Sequence, residues 1–126
     1  MPKRQLEFAS LETHVPWISV QEGDDLMISF ASGDHTGSSI DLRRSPKYED
    51  LLPVEERGVK VSSEEDLSLG AEMLVSVNWS LPLITLISTR HRYLLEVRSV
   101  DPHEIAEALT TLKRMHFDNG FHLTFV

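Results

Sequence analysis

The stretch that most limits what this chain can fold into is DPHEIAEALTTLKRM, residues 101–115. Asp101 is a helix-capping residue type, Pro102 suits the first helical position, and Glu104 falls three beyond the cap, a D-P-x-E form of the capping box. Ile105, Ala108, Leu109, Leu112 and Met115 then recur at helical spacing, which assigns Glu104, Glu107, Thr111 and Arg114 to the outer face. Lys113, Arg114 and His116 occupy the last turn, where cations suit the negative end of the helix dipole. Asn119-Gly120 stops the segment, and FHLTFV follows as a strand. One long helix, over about 102–116, is predicted, and the other elements must be arranged round it.

Those other elements read as strands. Val15–Val20 and Leu26–Ala31 form a first pair joined by the acidic turn QEGDD; in the second of them Leu26, Ile28 and Phe30 alternate with Met27, Ser29 and Ala31. Ile40 and Leu42 alternate with Asp41 and Arg43 in a third. From Ser45 to Ser68 the pattern lapses: Pro46 and Pro53 bracket KYEDLL, a short helical turn, and Val59 and Val61 suit a brief edge strand. MLVSVNW, LITLIS and YLLEV are strand-like runs separated by SLP and TRHR, two hairpin connections. Leu83–Ile87 is apolar on both faces, the mark of a strand covered on each side. The fold class predicted is α+β: a mainly antiparallel sheet of about six or seven strands with the helix on one face, then a terminal strand.

With 126 residues the chain suits one domain over 1–126 with one core. Twelve Lys and Arg against 20 Asp and Glu give a formal charge of −8, which argues against nucleic acid as partner, because phosphate contacts need a concentrated basic surface. The absence of cysteine excludes disulfides, zinc–thiolate sites and thiol nucleophiles. MPKRQLEFAS has no apolar run behind its basic residues, and LPLITLIS is too short to span a bilayer, so a cytoplasmic location without membrane insertion is expected.

The loop Gly33-Asp34-His35-Thr36-Gly37-Ser38-Ser39 looks chemical, but no lysine follows Gly37 and a strand, not a helix, comes next, so it is no phosphate loop. It reads as the bend of a hairpin. His14, His35, His91, His103, His116 and His122 share no metal-ligand spacing, and neither metal nor cofactor is expected. Carboxylates gather at Glu49-Asp50, Glu55-Glu56 and Glu64-Glu65-Asp66, in the least regular part of the chain. Cations gather at Arg43, Arg44 and Lys47, and at Arg90, His91 and Arg92, the latter on an exposed hairpin tip. Trp17, Phe30, Tyr93, Phe121 and Phe125 are assigned to the core, and Trp79, at a strand end, to the surface.

The ending ITLISTRHRYLLEVRSVDPHEIAEAL, about a fifth of the chain, resembles the end of pleckstrin-homology-like domains, where a C-terminal helix closes a sheet. The resemblance implies architecture alone. The leading expectation is a non-catalytic domain that binds another protein, in one form an acidic inhibitor or immunity-type protein covering a basic partner with Glu55, Glu56, Glu64, Glu65 and Asp66. The alternative is a ligand- or lipid-headgroup-binding module using Arg90, His91 and Arg92 as an anion site. A small hydrolase built on Asp34 and His35 comes third.

Overall fold

The computed structural model describes residues 9–33, 38–63 and 72–125. In chain order these form β1 (Ala9–His14), β2 (Ile18–Gln21), β3 (Leu26–Ala31), β4 (Ser39–Arg44), two 3-10 helices (Pro46–Leu51 and Val54–Glu56), β5 (Lys60–Ser63), β6 (Glu72–Ser80), β7 (Leu83–Ser88), β8 (His91–Glu96), α1 (Pro102–Met115) and β9 (His122–Phe125). The α+β class, the large and mostly antiparallel sheet, the long helix and the terminal strand are as the sequence predicts. Among the described residues the sheet has nine strands, more than expected.

Strand order is β1-β8-β7-β6-β5-β4-β3-β2, with β9 beside β6. β3 and β4 pair from Leu26↔Arg44 to Ala31↔Ser39, so the glycine-containing loop does connect the arms of a hairpin. Asp34 and His35 themselves lie outside the described residues. Two pairings are parallel, β1 with β8 and β9 with β6. β1 escapes a sequence reading because ASLETH has one large apolar residue, Leu11, and a partner far along the chain.

β5 is not an edge strand. Residues 60–63 pair with β4 on one side, and Lys60 and Val61 pair with Met73 and Glu72 on the other. β5 therefore takes the start of β6, while β9 takes its later part, Ser76–Trp79. The register of β6 against β7 slips between Leu74 and Ser76, which makes Val75 the extra residue of a bulge and turns it outward, 41% exposed. One apolar cluster contains residues of every part: Ile28, Phe30 and Leu42; Val77, Leu86 and Leu95; Leu112 and Met115.

α1 packs on β2 and β3. Asp101 caps it, accepting from His103 N at 2.8 Å. Glu104 does not complete a capping box; its Oε1 accepts from Ile18 N at 3.0 Å, serving a strand donor that the sequence could not place there. Thr111 is fully buried instead of outward, its Oγ1 donating to Glu22 Oε2 at 2.9 Å. Because the helix lies over β2 and β3, the outer face of β7 is open: Leu83 is 40% exposed, and Thr85 and Ile87 are half-buried. Both tryptophans reverse their expected settings, Trp79 being buried and Trp17 exposed, and Phe125 is exposed as well. No helix among the described residues is long and apolar enough to cross a membrane.

Candidate partner surface

Arg44 organises the irregular segment that follows β4. Its side chain is 2% exposed, and all five of its N–H groups have an acceptor. Nε and Nη2 hold Glu49 in a fork at 2.6 and 3.0 Å. Nη1 and Nη2 hold Asp118 in a second fork at 2.9 and 2.8 Å, and Nη1 also reaches Met115 O at 2.7 Å, at the end of α1. The guanidinium lies 4.2 Å from the centroid of the Phe117 ring. Burial alone would lower the guanidinium's pKa, but the hydrogen bonds and charges of Asp118 and Glu49 outweigh it and raise it further. In return the hydrogen bonds from Arg44 hold both carboxyls below their ordinary range.

Glu49 thereby pins the first 3-10 helix, and its Oε2 also accepts from Gly58 N at 3.3 Å. Arg57 closes the far side, donating to Leu52 O and Asp50 O. On this anchored segment stand three large apolar side chains that the core does not take: Tyr48 at 46%, Leu51 at 81% and Val54 at 72% exposure. Tyr48 and Leu51 are three residues apart in a 3-10 helix and so share a face. Phe117, also exposed, lies against the Arg44 guanidinium that holds Glu49 of the same 3-10 helix. Neither Tyr48, Leu51 nor Val54 stands out in the sequence; the only signal is that KYEDLL, between two prolines, lacks the period of a core-facing element.

The predicted acidic residues fall unevenly on this surface. Glu55 and Glu56 form the second 3-10 helix; Glu55 is exposed and Glu56 lies 3.9 Å from Lys60. Glu64, Glu65 and Asp66 lie outside the described residues. Glu49 is neutralised by Arg44, so Asp50 and Glu55 are the carboxylates here without a side-chain partner among the described residues.

The alternative anion site is divided. Arg92 is exposed on the outer sheet face and Arg90 half-buried, but His91 turns inward, 14% exposed, against expectation. Its Nδ1 donates to Glu72 Oε2 at 3.0 Å, beside Tyr93 Oη at 2.8 Å and Ser88 Oγ, which donates to the same oxygen. Ser88 Oγ also accepts from His91 N and Arg90 N, shaping the β7–β8 turn. This cluster of Ser, His, Glu and Tyr resembles catalytic machinery in composition, but Glu72 is its hub. Ser88 is wholly buried, and its hydroxyl donates to the carboxylate and not to the imidazole, so the arrangement is not that of a serine paired with a histidine. Elsewhere His14 is paired with Glu96, His103 with Glu107 and His116 with Phe121 O. Among the described residues no three His, Asp or Glu converge to hold a metal.

Comparison with protein-family models, with curated proteins and with solved structures finds no match.

Proposed function

We propose that this chain is a non-catalytic protein-binding domain, an acidic inhibitor or immunity-type protein, whose 46–57 segment docks on a basic partner. The carrying observation is the exposure of Leu51 and Val54 on a segment that Arg44 and Arg57 hold in place. Burying each of these side chains against a partner gives about 1.5–3 kcal/mol. A preorganised segment loses little conformational freedom in doing so. Asp50 and Glu55 beside them, with Glu64, Glu65 and Asp66 following in the chain, supply the field that selects a basic surface. The charges act mainly on encounter, since at physiological salt they are screened beyond about 8 Å.

The test uses a photo-crosslinking amino acid placed at Leu51 and, separately, at Leu94 on the open sheet face, with irradiation in the native host. One basic protein should be captured from position 51 and not from 94. Its association rate with the purified domain should fall with salt, and fall again in the Asp50→Lys/Glu55→Lys variant. Equal capture from both positions, or a rate unmoved by charge reversal, would refute the assignment.

A further inference from the structure

Trp79 is 5% exposed, whereas Trp17 is 58% exposed. Trp17 stands on one side of a cleft of about 540 Å³ whose walls include His14, Ser29, Ser32, Gly33, Ser38 and Ser39. The backbone beneath is tied down: Ala31 N donates to Trp17 O at 3.1 Å, Gly33 N to His14 O at 2.8 Å, and Ser32 N to Ser38 O at 3.1 Å. Gly33 is packed so closely that a Cβ there would lie 2.9 Å from the His14 carbonyl oxygen and 3.2 Å from its ring Cδ2. Only glycine leaves that floor open.

The polar groups of the cleft are oriented. Asp41 Oδ1 accepts from Ser29 Oγ at 2.5 Å and from Ser39 Oγ at 2.9 Å. With both hydroxyl protons directed at Asp41, the two oxygens are left as acceptors for an incoming donor. His14 Nδ1 donates to Glu96 Oε1 at 2.8 Å; in the tautomer with its proton on Nδ1, Nε2 is a further acceptor on the Cδ2 side, toward Gly33. The described lining contains no Lys or Arg.

We propose that this cleft binds a neutral saccharide, with one pyranose face stacked on Trp17 and hydroxyls donating to Ser29, Ser39 and His14. A pyranose presents polarised C–H groups on one face and O–H donors round its rim. The electron-rich face of an indole suits the first, and a set of acceptors without cations suits the second. A rigid exposed aromatic also loses little entropy when a ligand covers it. A nucleotide could stack on the same ring, but its phosphate would meet no Lys or Arg in the described lining, within a chain of net charge −8.

Trp79→Phe leaves Trp17 as the sole tryptophan, so its emission reports on the cleft. That protein is titrated with short oligosaccharides of β-linked glucose, β-linked N-acetylglucosamine and α-linked glucose, and with adenosine, each to about 10 mM, the weak end of specific binding. A saturable change in emission with at least one saccharide is expected. By calorimetry in the otherwise unaltered chain, Trp17→Ala should weaken that saccharide by about tenfold or more, and Ser29→Ala by a smaller factor. Leu51→Asp should leave it unchanged, which separates this site from the partner surface. The proposal is overturned if no saccharide alters the emission, if adenosine alone does, or if the Trp17→Ala chain binds the saccharide as tightly as the unaltered one.

Discussion

Replacing Arg44 with Met tests the feature on which the candidate surface depends. The substitution keeps an apolar stem beside Phe117 but removes five hydrogen bonds at 2.6–3.0 Å. Two of the groups left behind are costly: Glu49, whose side chain is 12% exposed, and the carbonyl of Met115. Asp118 is 45% exposed and recovers most of its solvation from water. Removing one partner of a buried ion pair costs about 3–5 kcal/mol, a large share of the roughly 5–15 kcal/mol that holds a domain together. With a urea slope of about 1–3 kcal/mol per molar, the unfolding midpoint should fall by more than about 1 M. The acid limb gives a second reading. Both carboxyls have pKa values below their ordinary 4.5 and 3.8, so their contribution is complete above that range and is lost as pH falls through the folded-state values. The wild type should therefore lose stability on acidification more steeply than Arg44→Met, whose carboxyls have no guanidinium to pair with. Equilibrium urea melts across that pH range measure both effects. A midpoint equal to that of the wild type, or parallel acid profiles, would show that Arg44 does not anchor the segment.

Two further pairs of substitutions address the core and its buried polar cluster. Leu112→Ala, at a site 1% exposed, should cost about 2–5 kcal/mol, and Leu109→Ala, at a half-buried site, should fall at or below the low end; urea midpoints of the two variants give the ranking. Glu72→Ala leaves Ser88, Tyr93 and His91 without their shared acceptor and should cost about 1–3 kcal/mol or more. Glu72→Gln, which keeps an acceptor oxygen, should cost less in the same melts.

What the sequence by itself determined is what neighbours along the chain can decide. The capped run from Asp101 to Met115 specifies a helix because its cap, first-turn proline and apolar stripe all lie within fifteen residues. The period-two strands and the short hairpin connections of β6, β7 and β8 follow in the same way. The acidic character of the 49–66 segment is equally plain in the letters. What only the tertiary structure decided is which faces are covered, because cover comes from distant segments. An alternating pattern shows that a side chain points to one side, but whether that side is core depends on what packs there. Trp17 and Trp79 both lie at strand ends, yet Trp79 lies between paired strands β7 and β9 and is buried, while Trp17 is 58% exposed. β5 becomes internal and β1 finds β8 through long-range pairing that no local signal encodes. On the candidate surface the same limit applied: Glu49 reads as one more acidic residue until Arg44, held by the end of α1, takes its charge. Leu51 and Val54 carry no signal of their setting in the sequence, and only the closed core shows that they stay outside it.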